Sequence, residues 1–299
     1  MASNQSYIAI ITDDPGWHGK QLKQTLANRG YVAHFVRLQD CHFDLSTDDA
    51  HLDISGFNGL PSAVFVRGVP GGSLEQVVYY LDVLHGLEHL GVPVFNNTRA
   101  LERSVDKGMT SFLLKSKNIP TPSAFVSSDL HYIYNKVHQM LGRGKQVVIK
   151  PIFGSQGKGV QRIASKSDCI DYSLMHGVMY VQEFVDAGQE VGVDYRVFIV
   201  GDKIIASMKR TGECWITNVA QGGSVEAVQL DSSVEQMALD AVNATGLEYS
   251  GVDLIRDKQG QFWVTEVNSV PAWKGLQQTT SFNLSDAIIE EFLSHSDLS

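Results

Sequence analysis

The chain has 299 residues, of which 43% are hydrophobic and 19% are charged, a composition typical of a folded protein with up to three domains. Its formal net charge of −9 disfavours nucleic acid and anionic membranes as partners, although a few converging Lys and Arg side chains could still bind an anion. We find no apolar run of about 18 residues that would predict a membrane span, and the polar start predicts no secretory signal. The three widely spaced cysteines predict neither disulfides nor a zinc site, so we expect a reduced cytoplasmic setting.

Residues 1–95 alternate predicted strands and helices. The strands are predicted at 7–12, 31–37, 63–67 and 91–95. The helices between them are predicted at 17–29, closed by Gly30, and at 73–90. Because such alternation favours a parallel sheet with right-handed crossovers, residues 1–95 are predicted to form an N-terminal α/β domain.

After residue 96 the pattern changes to helices mixed with antiparallel strands. A helix with Ser104 as its candidate N-cap is predicted to run through Lys107 and Leu114. Further helices are predicted at 130–141, 232–245 and 285–293, and single strands at 147–150, 160–163 and 180–183. Two hairpins are predicted, 194–200 with 203–209 and 249–256 with 261–268. The chain is therefore predicted to continue as two α+β domains, 96–185 and 186–299.

A glycine-rich loop, residues 152–160 (IFGSQGKGV), follows the strand that ends near Lys150. Glycines let backbone N–H groups surround phosphate oxygens, and Lys150 could meet a phosphate as a point charge. The loop is not a Walker A loop, because it lacks the G-x-x-x-x-G-K-S/T spacing and leads into a strand. A loop that is rich in glycine only for its turn remains the alternative.

Two carboxylates and an amide lie in the last predicted hairpin. Symmetric closure around residues 257–260 puts Asp253 opposite Val264, with Glu266 as its diagonal neighbour and Asn268 further along the same face. Hard oxygen ligands in a row suit Mg²⁺, which usually keeps waters and shares substrate phosphates. The alternative is a set of polar residues on a solvated sheet face, and a one-residue slip in register would change the geometry.

Further short motifs occur in an order that resembles a known family. They are 106–107 (DK), 148–151 (VIKP) with the glycine-rich loop, 181–184 (VQEF), 194–196 (DYR), 209–210 (KR), 217–218 (TN), 251–253 (GVD), 266–268 (EVN) and 275–280 (GLQQTT). Over residues 90–293 the chain resembles ATP-grasp ligases, and among them the RimK-type alpha-L-glutamate ligases. The resemblance implies an ATP-grasp fold, with an N-terminal α/β pre-ATP-grasp domain and two α+β subdomains that enclose ATP.

The same resemblance implies which residues bind the nucleotide. Lys107 and Lys150 would hold the ATP phosphates. The glycine-rich loop would assist them through Gly154, Ser155, Gln156, Gly157 and Gly159. Gln182, Glu183 and Phe184 would contact the adenine. Asp194 would lie near the ribose, and Asn218 would line the boundary between the nucleotide and the acceptor.

For catalysis, the resemblance implies a carboxylate–amine ligase that forms ADP. An acceptor carboxylate would attack the γ-phosphorus of ATP, and an amine, usually that of L-glutamate, would displace phosphate from the acylphosphate. Arg196 and Arg210 would stabilise the phosphoryl group and the tetrahedral intermediate. Asp253, Glu266 and Asn268 would hold one or two Mg²⁺ ions, for which Mn²⁺ could substitute.

The segment 268–275 (NSVPAWKG) departs from the family's usual Asn-x-Ser-Pro-Gly pattern. The departure puts Trp273 and Lys274 where the acceptor is expected, so that Trp273 could stack on an aromatic ring and Lys274 could meet a carboxylate. Core packing of Trp273 is the alternative. The variant resembles branches that act on pterin- or furan-type one-carbon cofactors. The expected partners are thus a small-molecule carboxylate acceptor and an amino acid, and the resemblance implies a homo-oligomer, either dimer or tetramer.

Several other interpretations stay open at this stage. The chemistry could be that of a D-alanine-type dipeptide ligase or a carrier ligase, or the chain could be an ATP-binding regulatory protein without turnover. A dinucleotide-binding oxidoreductase is disfavoured by the missing G-x-G-x-x-G. Single residues also have simpler roles, with Lys107 as a solvated helix lysine, Arg210 as a surface residue and Asp194 as a strand start. His85 and His89, four apart on a predicted helix, lack the accompanying carboxylates of a metal site.

Overall fold

The computed structural model describes residues 6–46, 51–154, 159–174, 176–189, 191–212, 215, 217 and 223–298. Contacts divide the chain into two compact units. Unit 1 comprises Met1–Leu101, Leu247–Tyr249 and Val270–Ser299, and unit 2 comprises Glu102–Gly246 and Ser250–Ser269. The segment from residue 270 onwards thus belongs with the N-terminal part of the chain. No helix in the described ranges has both the length and the apolar character needed to span a membrane.

The described residues form fifteen strands and eight α-helices. The strands are β1 (Tyr7–Ile11), β2 (Val32–Val36), β3 (His42–Asp44), β4 (His51–Asp53), β5 (Ala63–Val66), β6 (Val94–Phe95), β7 (Ala124–Ser127), β8 (Val147–Pro151), β9 (Gln161–Ile163), β10 (Met179–Glu183), β11 (Val193–Val200), β12 (Lys203–Thr211), β13 (Ser224–Ala227), β14 (Tyr249–Arg256) and β15 (Phe262–Asn268). The helices are α1 (Gly16–Asn28), α2 (Leu74–His89), α3 (Thr98–Val105), α4 (Lys107–Ser116), α5 (Leu130–Gly142), α6 (Ser232–Thr245), α7 (Lys274–Gln277) and α8 (Leu284–His295).

Unit 1 is built on a parallel sheet of order β2-β1-β5-β6, which confirms the parallel sheet expected from the alternating pattern. The central strands β1 and β5 are apolar, and residues 8–11 and 63–66 are fully buried. Such continuous apolar strands are typical of a parallel sheet that is covered on both faces. Helix α2 packs on this core, and a capping box between Ser73 and Gln76 defines its start.

Unit 2 contains two sheets, of order β7-β10-β8-β9 and β13-β12-β11-β14-β15. Helix α5 covers the first sheet, and its Ile133, Val137 and Met140 pack against the apolar side chains of β8 and β10. Helix α6 packs on the second sheet. A backbone hydrogen bond of 2.8 Å from Val264 of β15 to the carbonyl oxygen of Pro120 ties the second sheet to the segment before β7.

One predicted helix proves to be two. Helix α3 ends at Val105, and Asp106 adopts an extended conformation with φ of −88° and ψ of 105°. The Asp106 carboxylate accepts a hydrogen bond from the backbone N–H of Met109, so Asp106 is the N-cap of α4. The predicted cap at Ser104 was wrong, because Ser104 lies inside α3.

The register predicted for the last hairpin was also wrong. Asp253 pairs directly with Glu266, and Leu254 pairs with Val264. A β-bulge between Asp253 and Leu254 leaves Thr265 as the extra residue, and its hydroxyl donates to the carbonyl oxygen of Asp253 at 3.1 Å. The bulge brings the two carboxylates closer than the predicted diagonal arrangement would.

Candidate active site

Lys107 occupies the first position of α4, immediately after the Asp106 cap. Its Nζ donates to the carbonyl oxygen of Gly154 at 2.7 Å, so the lysine reaches the beginning of the glycine-rich loop. Gly154 has φ of +131°, a conformation that glycine adopts readily because it lacks Cβ. The Lys107 side chain therefore connects the start of α4 with the glycine-rich loop.

Lys150 and Lys107 both lie close to Glu266. Lys150 is on β8, opposite Tyr180 of β10. Its Nζ donates to Gln182 Oε1 at 3.1 Å and lies 3.5 Å from Glu266 Oε1. Burial lowers the pKa of Lys107, and the negative charge of Glu266 opposes that effect. Two lysines beside one carboxylate can bind phosphate oxygens as point charges.

The polar row on β14 and β15 carries three oxygen-bearing side chains. Asp253 and Glu266 are direct cross-strand partners, and Asn268 pairs with Gly251 two residues along the same face. Asn268 Nδ2 donates to the carbonyl oxygen of Gly251 at 3.2 Å and lies 3.4 Å from Asp253 Oδ2. The amide Oδ1 is then the atom that could face a cation. Two carboxylates and an amide oxygen match the ligand preference of Mg²⁺.

A buried network of charges adjoins this row. Arg196 donates to both oxygens of Asp253 at 2.7 Å. Arg210 donates to both oxygens of Asp194 at 2.5 and 2.6 Å, and its Nη2 lies 3.2 Å from Asp253 Oδ1. Thr217 also donates to Asp194. Fork-shaped guanidinium contacts of this kind fix both carboxylates and both arginines in one geometry.

The charges in the network shift one another's pKa values. Burial would raise the pKa of Asp253, but Arg196 and Arg210 outweigh it and lower the pKa to about 2. Burial also opposes the charge on Arg210, yet Asp253 and Asp194 raise its pKa above the ordinary value. Both groups are therefore charged at neutral pH. An anionic substrate would meet arginines that are already oriented by carboxylates.

Gln182, Glu183 and Phe184 lie at the end of β10 and just beyond it. Gln182 is buried, and Glu183 forms an ion pair with Lys145 at 2.8 Å. The backbone N–H groups of Glu183 and Phe184 donate to Ser123 and Gln146 carbonyl oxygens at 2.7 and 2.9 Å. These two N–H groups are thus already hydrogen-bonded within the protein. If this strand contacts adenine, other atoms would have to form the hydrogen bonds to it.

The ring of Phe184 has two neighbours that the motifs did not identify. The Arg162 Cζ lies 3.9 Å from the centroid of the Phe184 ring, and the Trp215 ring lies 6.1 Å away at an angle of 75°. Arg162 follows the glycine-rich loop on β9, and its Nε donates to Gln146 at 2.8 Å. A lone arginine or tryptophan in the sequence carries no signal for such stacking.

Some residues that the resemblance assigned are not in the part of the chain that the structure describes. They are Ser155, Gln156, Gly157 and Asn218. Gly159, beyond the gap in the loop, has φ of +71°. Lys107, Lys150, Asp194, Arg196, Arg210, Asp253, Glu266 and Asn268 all belong to unit 2.

Trp273 and Lys274 belong to unit 1. The Trp273 side chain is fully buried, and its ring lies 4.5 Å from the His18 ring. Lys274 is exposed and begins α7. Because no face of Trp273 is open to solvent, the packing role is favoured for this residue over stacking on an acceptor.

Within the described ranges there is no group of three or more His, Cys, Asp or Glu side chains that could hold a metal ion. The candidate Mg²⁺ row is compatible with that finding, since its third oxygen comes from an amide. His85 Nδ1 instead lies 3.5 Å from the carboxylate of Glu88.

Comparison with known proteins identifies the family of this chain. Residues 104–292 match the family model of the RimK-like ATP-grasp domain. Two similar relatives are tetrahydromethanopterin:alpha-L-glutamate ligases. That of Methanococcus maripaludis is 35% identical over 77% of this chain and 78% of its own. That of Methanocaldococcus jannaschii is 35% identical over 77% of this chain and 79% of its own. A probable alpha-L-glutamate ligase of Legionella pneumophila is 32% identical over 95% of this chain and 94% of its own.

Solved structures show the same fold at lower sequence identity. The ATP-grasp ligase PsnB with its minimal precursor has a TM-score of 0.75 at 18% identity, covering 98% of this chain and 100% of that chain. D-cycloserine synthetase DcsG has a TM-score of 0.73 at 16% identity, covering 98% and 100%. Another PsnB structure, with a TM-score of 0.73, contains Mg and ADP. The chain belongs to the RimK-like ATP-grasp family and is an ATP-dependent ligase.

Proposed function

We propose that the protein joins L-glutamate to the carboxylate of a small-molecule acceptor of the pterin type, using ATP and forming an amide bond. The main support is the convergence of four cations and three carboxylates in unit 2, since cations held close together by carboxylates can bind the anionic groups of a substrate. The cations are Lys107, Lys150, Arg196 and Arg210, and the carboxylates are Asp194, Asp253 and Glu266.

In this proposal Lys107 and Lys150 bind the ATP phosphates together with the glycine-rich loop. Their Nζ atoms now contact the Gly154 carbonyl oxygen and Gln182, neutral partners that a phosphate can replace. The loop completes the nucleotide site through Gly154, Gly159 and the residues between them. Phe184, with Arg162 over its ring, provides an apolar surface for adenine.

Glu266 and the Asn268 amide oxygen are the proposed Mg²⁺ ligands, and Glu266 would share its charge between the ion and Lys150, which lies 3.5 Å away. Asp253 already accepts a hydrogen bond from Arg196 on each of its oxygens, so as a ligand it would use a remaining lone pair or exchange one of these contacts. Such a row, with waters and phosphate oxygens, suits one or two ions, and Mn²⁺ would fit the same oxygen donors. When bound, the ion neutralises charge between the phosphates.

The reaction needs no nucleophile from the protein. One oxygen of the acceptor carboxylate attacks the γ-phosphorus while the bond to the β-phosphate oxygen breaks, which gives an acylphosphate and ADP. The uncharged amine of glutamate then attacks the acyl carbon, phosphate leaves with the C–O bonding pair, and the nitrogen loses a proton. Arg210 and Arg196 hold the transferred phosphoryl group and the developing oxyanion, so catalysis comes from orientation and charge.

Glutamate is supported by the relatives of this chain. The methanogen and Legionella proteins all carry alpha-L-glutamate ligase in their names, over at least 77% of this chain. The pterin acceptor rests on the two methanogen relatives alone, whose names include tetrahydromethanopterin. A reduced pterin that bears a carboxylate is thus the first acceptor to test.

The proposal includes a cytoplasmic homo-oligomer, either dimer or tetramer. Cys41 and Cys169 are free thiols, which is compatible with a reducing compartment. Light scattering after size exclusion would measure the oligomeric state directly.

The test is ADP and phosphate release from Mg-ATP with L-glutamate and a panel of carboxylates that includes reduced pterins and furan cofactor precursors. Mass spectrometry of the acceptor would count added glutamyl groups. Acceptor-dependent ADP release with a glutamylated product, lost in Lys150→Ala, supports the proposal. Release of AMP and pyrophosphate, or ATP binding without turnover on every acceptor, contradicts it.

A further inference from the structure

Arg67 is a cation of unit 1 that has no acidic partner among the residues the structure describes. It follows β5, and its Nε is shielded from solvent yet has no hydrogen-bond partner in the described part of the chain. Its Nη1 donates to the carbonyl oxygen of Val270 at 3.3 Å, and its Cζ lies 5.1 Å from the Trp273 ring centroid. Burial lowers the pKa of Arg67, and no carboxylate in the described ranges pairs with it. A buried donor on a charged group that lacks a partner is costly and calls for an explanation.

His18 lies beside this arginine. Its Nε2 accepts hydrogen bonds from the backbone N–H groups of Trp273 and Lys274 at 3.1 and 3.2 Å. A nitrogen that accepts cannot carry the proton, so the ring is neutral and its proton is on Nδ1. Burial, Arg67 and Lys274 together lower the pKa of His18 to about 4. Both cations therefore act on the same imidazole, which remains a donor through Nδ1.

The sheet topology points to the same location. Strand β2 lies on one side of β1, whereas β5 and then β6 lie on the other, so the strand order reverses between β1 and β5. Open parallel sheets bind ligands beyond the carboxyl ends of the strands at such a switch point. His18 is in the first turn of α1, which follows β1, and Arg67 follows β5. The backbone N–H of Arg67 donates to the Ile11 carbonyl oxygen at 2.9 Å, and this bond holds the backbone of the arginine at the end of β1.

We propose that Arg67, with Lys274 and the His18 Nδ1–H, forms a carboxylate-binding site at this switch point, and that its ligand is a carboxylate of the acceptor. The inference rests on the proposed ligase function and adds the residues that recognise the acceptor. Trp273 takes a positioning role, since it is fully buried and packs against both Arg67 and His18. An Arg guanidinium with unused donors is well suited to a carboxylate.

The first experiment compares Arg67→Gln and Arg67→Lys with Arg99→Gln, the same change at an exposed arginine of unit 1. Steady-state ADP release is measured with tetrahydrofolate as the carboxylated reduced pterin, or with whichever panel acceptor the wild type uses. Arg67→Gln is expected to raise the KM for the acceptor by about 10- to 100-fold, with the KM values for ATP and L-glutamate within about twofold. Arg67→Lys should recover part of the loss, and Arg99→Gln should match the wild type.

A thermal unfolding scan separates recognition from folding. Arg67→Gln should leave the unfolding temperature unchanged or raise it, because the guanidinium has no carboxylate partner to lose. An unchanged acceptor KM, or a KM that rises only for L-glutamate, would overturn the proposal. The proposal would also be overturned if both Arg67 variants unfolded at a lower temperature in proportion to their rise in acceptor KM.

A second measurement is independent of turnover. Benzoate, an aromatic carboxylate, should raise the unfolding temperature of the wild type and Arg99→Gln more than chloride at equal ionic strength, and should do so less for Arg67→Gln. If no pterin supports ADP release while this difference is found, the ligase proposal fails on its acceptor but the site stands. Equal shifts in all three proteins would overturn the site.

Discussion

Arg196 clamps Asp253 with two hydrogen bonds of 2.7 Å, whereas Glu266, directly opposite on the neighbouring strand, keeps 34% of its side chain exposed. Two carboxylates of one row thus have different environments. The buried carboxylate is paired with arginine, whereas the more exposed Glu266, 3.5 Å from Lys150, can also be reached by a cation from solvent. The two should respond differently to substitution.

Glu266→Gln should abolish turnover without unfolding the protein. The substitution keeps the shape but removes a charge that a divalent ion and Lys150 share, so acceptor-dependent ADP release should fall by at least about 100-fold. Thermal unfolding should change little, since the side chain is partly exposed. Glu226→Gln is the matched control, because Glu226 also pairs with a lysine, Lys209 at 2.7 Å, but is 63% exposed. Equal activity in the two variants would contradict the assignment of Glu266 as a Mg²⁺ ligand.

Asp253 and Arg196 should be coupled in stability. Arg196→Gln removes the two 2.7 Å contacts of the buried Asp253 carboxylate and leaves Arg210, at 3.2 Å, as its cationic partner. The substitution should therefore lower the free energy of unfolding by about 2–4 kcal/mol. The double variant Arg196→Gln/Asp253→Asn should cost less than the sum of the single changes, which a urea-unfolding cycle at neutral pH would measure.

The control for this cycle is the surface pair of Arg37 and Asp40, where the Arg37 side chain is 52% exposed. Arg37→Gln should lower the free energy of unfolding much less than Arg196→Gln does, because solvent screens the exposed pair. Additive effects at Arg196 and Asp253 would contradict the buried network.

Lys107→Ala and Lys150→Ala should each weaken nucleotide binding. Each removes one cation from the proposed phosphate site, and a charge-assisted contact is worth about 1.5–3 kcal/mol, or roughly 10- to 100-fold in the Kd for ADP. Lys115→Ala, at an exposed position of the same helix as Lys107, should bind ADP like the wild type. Calorimetric titration would decide this, and equal affinities in all three variants would exclude the two lysines from the site.

His18 should make the protein sensitive to acid. The folded pKa of about 4 lies below the ordinary 6.5, so the unfolded chain takes up a proton first as the pH falls. The free energy of unfolding should therefore drop between pH 6.5 and 4, by on the order of 1 kcal/mol because the ring is partly exposed.

His18→Gln should flatten that part of the pH profile, whereas His131→Gln, at an exposed histidine, should not. Parallel profiles for the wild type and His18→Gln would show that His18 titrates normally.

Strong local patterns made much of the fold predictable. Helix α6 and strand β14 have the predicted bounds, because their apolar spacing and flanking turns agree with the tertiary structure. The short strands β7 and β13 were missed. Both lie at sheet edges with mixed side chains, where hydrogen bonding to a neighbour decides the conformation more than the residues do.

The candidate site was predictable in its residue types but not in its contacts. Motif order led to Asp253, Glu266 and Asn268, yet only the bulge at Thr265 makes the first two direct partners. The clamp by Arg196 depends on pairing between distant strands, which no local spacing encodes. Arg67 belongs to none of the motifs, and it became a candidate only because its buried Nε has no partner among the described residues.

The central claim, amide formation through an acylphosphate, is tested most directly by isotope transfer. The acceptor is labelled with oxygen-18 in its carboxylate and incubated with Mg-ATP, L-glutamate and enzyme, and the released phosphate is analysed by mass spectrometry. The expected result is one labelled oxygen in each phosphate, with ADP as the nucleotide product. Unlabelled phosphate, or label found in AMP, would contradict the proposed mechanism.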